Sequence, residues 1–129
     1  MKKILMLFLV ACMCFTVLGC GKSKAVIEAD NLIANIGEIT LESQKKLQAA
    51  QQAVSNLTDR QKEQLENTAL LESAQDTYDK LVTENVDHAI AAIGPVTLDS
   101  AKTIEEARRL YDSCSDKVKS AVCNYAALQ

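Results

Sequence analysis

Aromatic side chains are scarce in this sequence: three tyrosines, two phenylalanines and no tryptophan. So few rings leave a thin core, with little room for the cleft that paired catalytic carboxylates need. The one histidine is His88, and neither it nor any cysteine falls at metal-ligand spacing, so no metal site is expected. Glycine is rare as well. Beyond the first twenty residues only Gly21, Gly37 and Gly94 occur, which excludes a phosphate-cradling loop. Lysine and arginine are scattered, apart from Lys45-Lys46 and Arg108-Arg109, so nucleic acid is not an expected partner. Strand patterns are nearly missing. Only Ile39 and Val96 could form a brief extended pairing.

What is present begins with a cationic head, Lys2-Lys3, and an apolar run from Ile4 to Leu18 broken by Thr16. The run is short of the roughly 20 apolar residues that span a bilayer, and it has the order of a signal peptide. It ends in Val17-Leu18-Gly19-Cys20. This segment resembles the lipobox of bacterial membrane lipoproteins, with Val17 where leucine is commonest. The resemblance implies a signal peptide over 1–19, cleavage between Gly19 and Cys20, and a covalent lipid (palmitate-type acyl chains) on Cys20. It also implies a place on the outer face of the cell membrane, with residues 20–24 as a short tether. Each buried CH₂ contributes about 0.8 kcal/mol, so two or more chains anchor firmly. Lys22 and Lys24 are expected to favour an anionic lipid surface.

Cleavage there leaves 110 residues, with 12 basic against 17 acidic side chains. That suffices for one modest core or two small helical modules. Of five cysteines, Cys12 and Cys14 fall in the leader and Cys20 takes the lipid. Cys114 and Cys123 are the remaining candidates for a disulfide in an exported protein. The spacing favours two small half-buried side chains over a bridge.

The body repeats at an offset of 57 residues. Asn31–Glu72 aligns with His88–Gln129 without a gap, and 14 of 42 pairs are identical. Ile33 pairs with Ile90, Gly37 with Gly94, Thr40 with Thr97 and Ala50 with Ala107. The expected fold is all-α: two tandem three-helix bundle repeats, 25–82 and 83–129, the second shortened at its C-terminus. In the first, a helix over Ala25–Ile36 buries Val26, Ala29, Ile33 and Ile36. Gly37 supplies a left-handed C-terminus, and Thr40 caps a second helix reaching about Ser55. Thr58 and Gln61 form a capping box opening a third helix through Leu65, kinked at Asn67 and continuing past Leu81. That helix is predicted to run into the next repeat as one long shared element. There Gly94-Pro95 stops it, Thr97 opens the next helix, and Ser115 caps the last. Its inward stripe is Val118, Val122, Tyr125 and Leu128.

Ile93-Gly94-Pro95-Val96-Thr97-Leu98-Asp99-Ser100, then Ala107-Arg108-Arg109-Leu110-Tyr111-Asp112 and Val122-Cys123-Asn124-Tyr125, resemble small helical-bundle repeats of Gram-positive cell-surface proteins. The resemblance implies spacing or binding at a cell surface and no reaction. The expected function is a non-catalytic, lipid-anchored extracytoplasmic binding or spacer module. Its partners are the membrane and an unknown protein or cell-wall glycan. The alternative is an accessory subunit of a membrane transport or secretion complex. Glu105, Arg108 and Arg109 form the candidate binding surface. Tyr78, Tyr111 and Tyr125 read as core rings, and His88 as a solvated helix residue. The acid pairs Glu105-Glu106, Glu63 with Glu66, and Asp76 with Asp79 read as solvated faces, with Asp76 paired to Lys80.

Overall fold

Ser23 opens the first helix by accepting a hydrogen bond from the Val26 N–H at 3.4 Å. The computed structural model describes residues 21–129. The leader, Gly19 and Cys20 lie outside them. The described residues are all-α, with six helices: α1 Lys24–Ala34, α2 Gln44–Ser55, α3 Asp59–Lys62, α4 Thr68–Ala91, α5 Ala101–Asp112 and α6 Asp116–Ala121. Short 3-10 turns occupy Leu41–Ser43, Leu98–Ser100 and Tyr125–Leu128. No helix among the described residues is long and apolar enough to cross a membrane.

Helix α4 is the long shared element, 24 residues without a break. Its N-terminal half packs with α1 and α2 to form one lobe, and its C-terminal half with α5 and α6 to form another. Ile33, Ile36, Leu47, Ala50, Leu71 and Ala74 make the first core, extended by Val26, Ala29 and Leu57. Val86, Ile90, Ile93, Ala107, Val122 and Leu128 make the second. Full burial of a side chain such as Ile33 contributes about 1.5–3 kcal/mol.

The same local devices recur 57 residues apart. Gly37 and Gly94 take φ of 71° and 56°, the left-handed region that ends a helix. No atom lies within 4 Å of a Cβ added at Gly37, so backbone conformation alone opposes a side chain there. Gly37→Ala is expected to cost about 1 kcal/mol in urea unfolding. An unchanged midpoint would show that the turn relaxes. Beyond each glycine, the Thr40 and Thr97 N–H groups donate to Ser43 and Ser100 Oγ at 2.9 and 3.0 Å. The Ile39–Val96 pairing does not form. There is no strand among the described residues.

The third helix departs from expectation. It is a single turn, Asp59–Lys62, and the chain leaves the helical path before restarting at Thr68. Asp30, buried on α1, is the reason. Its Oδ1 accepts the Glu66 and Asn67 N–H groups at 3.0 and 3.2 Å, taking two donors a continuous helix would use internally. The last helix breaks in the same way. It ends at Ala121, Val122 is extended, and Asp87 Oδ1 accepts from the Cys123 and Asn124 N–H groups at 3.1 and 3.3 Å. Val118, Val122 and Leu128 still face inward, but Tyr125 is 39% exposed and stacks on Tyr111 with centroids 4.5 Å apart. Tyr78 and Tyr111 are half-buried against the first and second cores.

Candidate binding groove

Several side chains singled out by sequence have structural work. The Arg108 guanidinium donates to the Leu128 carbonyl from Nε at 3.2 Å and Nη2 at 2.6 Å, holding the C-terminal turn onto α5. Glu105 and Arg109 remain on the exposed side of α5. All three lie on α5, and Arg108 is held by the C-terminal turn while the other two face solvent. The Cys114–Cys123 bridge is not formed. The Cys114 thiol is half-buried and donates to the Leu110 carbonyl at 3.2 Å, while that of Cys123 is exposed and turns to the Ala121 carbonyl. His88 is exposed on α4.

The expected Asp76–Lys80 pair is not made. Lys80 pairs with Glu84 at 3.9 Å, whereas Asp76 pairs with Lys117 of α6 at 2.8 Å. Lys117 also reaches Asp79 at 2.9 Å. Hydrogen bonds to Asp76 and then Asp79 raise the Lys117 pKa well above its ordinary value. Lys22 does not face outward as a lipid-seeking cation. It bonds Asp30 at 2.9 Å and Glu66 at 2.7 Å.

The concave feature sequence reading missed lies between the lobes. It is a groove of about 410 Å³, within the usual range for ligand sites. Helix α2 contributes Gln44, Gln48 and Gln51, which lie on one face at helical spacing. Helix α4 contributes Gln75, Tyr78, Asp79 and Asn85. The far wall is Leu110, Ser113, Cys114 and Ser115 at the end of α5, with Val118 of α6. Leu41, Leu47, Val82 and Val86 add further apolar surface.

A polar chain crosses this groove from lobe to lobe. Gln51 Nε2 donates to Gln75 Oε1 at 2.6 Å, Gln75 Nε2 donates to Asp79 Oδ1 at 2.7 Å, and Lys117 closes it on Asp79. The Asp79 carboxylate is thus compensated. Burial raises the Cys114 thiol pKa, partly offset by Lys119, and burial also raises that of Tyr78. Both stay neutral near pH 7. The groove therefore offers carboxamides and hydroxyls, groups that donate and accept hydrogen bonds without carrying charge. Among the described residues no cluster of three or more histidine, cysteine or acidic side chains could hold a metal ion. Comparison with family models, with curated proteins and with solved structures finds no match to this chain.

Proposed function

We propose that this chain is a lipid-anchored, extracytoplasmic binding module on the outer face of a bacterial membrane, non-catalytic, with the interlobe groove as its binding site. The observation that carries the binding role is the groove itself, lined by amides from α2 and α4 where two lobes meet. Carboxamides neither take nor give protons at neutral pH, so they suit recognition rather than turnover. The order of cationic head, apolar run, small residue and Cys20 supports the anchor. A lipid raises the module's effective concentration toward neighbours on the same membrane. With Lys22 engaged by Asp30 and Glu66, the exposed Lys24 is the cation left beside the tether, so attachment depends on the acyl chains more than on charge.

Three variants of the full chain test this reading. Cys20→Ser should move the protein from the membrane to the soluble fraction and leave the leader uncleaved. Retention with normal processing would remove the anchor from the account. A photo-cross-linking residue at Gln48 should trap one envelope component in cells, and the same residue at Glu28 on α1 should not. Equal trapping at both positions would remove the groove.

A second reading, an accessory subunit of a membrane complex, is favoured by one observation. Val96 is 71% exposed and Leu98 fully exposed, an apolar tip on the second lobe. It predicts co-purification with integral membrane proteins in mild detergent, lost in Leu98→Ser.

A further inference from the structure

The groove's chemistry restricts what it can hold. Every polar lining group except Asp79 is neutral, and Asp79 is already bonded by Lys117 and Gln75. A charged ligand would find no counter-charge and would lose its hydration. A saccharide is commonly held by an aromatic platform under the ring. The only aromatic in the lining is Tyr78, which packs against the first core. What remains is a row of amides beside aliphatic side chains. Gln44 to Gln51 is a rise of seven steps of helix, about 10 Å at roughly 1.5 Å per residue. An extended peptide covers that distance in about three residues, at roughly 3.3 Å each. Its backbone alternates N–H and C=O, which a carboxamide can pair both ways. Its side chains alternate in direction, so every second one can point toward Leu41, Val82 and Leu110, the lining aliphatics that keep exposed surface.

We infer that the groove binds an uncharged, extended peptide segment, with Gln44 and Gln48 pairing its backbone and the aliphatic side chains receiving alternate apolar side chains. This rests on the groove being the binding site, and it names the ligand class for that site.

Cys114 makes the inference testable, because its thiol lines the groove and Cys123 lies outside it. The full chain in mild detergent is treated with a neutral maleimide, and each thiol is followed by site-resolved mass spectrometry. The probe is a blocked hexapeptide alternating serine and valine. At about ten times its Kd, the peptide should slow Cys114 labelling about tenfold and leave Cys123 unchanged. Gln44→Ala combined with Gln48→Ala should abolish the protection. Gln52→Ala, exposed on α2 and outside the lining, should not. Three results would overturn the inference: no protection at millimolar peptide, equal protection by a peptide alternating lysine and glutamate, or persistence of protection in the double variant. Protection by an N-acetylglucosamine oligosaccharide with none by the peptide would overturn the peptide class and leave the groove as a binding site. Loss of cross-linking specificity at Gln48 would instead remove the site itself.

Discussion

Asp30→Ala should lower the unfolding free energy by about 3 kcal/mol. Its carboxylate is largely buried and accepts from two backbone N–H groups and from Lys22. Removing it leaves two part-buried N–H groups and the Lys22 ammonium without this acceptor, and an unpaired buried donor costs about 1–3 kcal/mol. Asp30→Asn keeps an acceptor for the backbone but loses the ionic partner, and should cost about 1 kcal/mol. Asp87→Ala should cost about half as much as Asp30→Ala, because Asp87 is half-exposed and its bonds are longer. Urea titration followed by circular dichroism at pH 7 ranks the three. Equal values for all three would refute the role given to Asp30.

The pH dependence follows with a definite sign. Burial pushes the Asp30 pKa up, but hydrogen bonds from Lys22 and from the Glu66 and Asn67 N–H groups outweigh it, so the native value falls below 3.8. A carboxyl with a depressed native pKa stabilises the fold fully above its unfolded value and stops doing so as pH falls through the native one. The stability gap between the native sequence and Asp30→Asn should therefore hold at neutral pH and shrink below about pH 4. A gap that widens in acid would reverse the assignment.

Leu47→Ala should cost about 3 kcal/mol, as expected for a core leucine whose space cannot fully collapse. Leu47 is 2% exposed, in the first core. Its counterpart 57 residues later, Ile104, is only half-buried, and Ile104→Ala should cost about half as much. The same measurement decides both. A larger loss at Ile104 than at Leu47 would mean that the second lobe, not the first, carries the better-packed core.

Much of the architecture was legible because it rests on short-range rules. Val26, Ala29, Ile33 and Ile36 recur at helical spacing and are all buried. Gly37, Gly94 and the Thr-to-Ser caps act within a few residues. The uninterrupted stretch after Leu70 became one helix because nothing in it forbids one. What escaped depends on distance along the chain. The breaks before Thr68 and after Ala121 are caused by aspartates 36 or 37 residues away, whose partners are backbone N–H groups and leave no pattern in sequence. Asp30 and Asp87 themselves share the 57-residue offset, one position outside the aligned block. Lys117 outcompetes Lys80 for Asp76 because Asp79 stands one turn away and both carboxylates meet a single ammonium. The groove was invisible for a related reason: its walls come from helices distant in sequence, and Gln44, Gln48 and Gln51 match no binding motif on their own.

The central helix belongs to both cores at once. Leu71 and Ala74 wall one, Val86 and Ile90 the other. At about 1.5 Å per residue it is a strut roughly 36 Å long with no internal joint. Each core takes its own wall from one continuous backbone, so a pull on one lobe reaches the other through the hydrogen bonds of this helix. The spacing between the two cores is therefore set by a ruler rather than by a string.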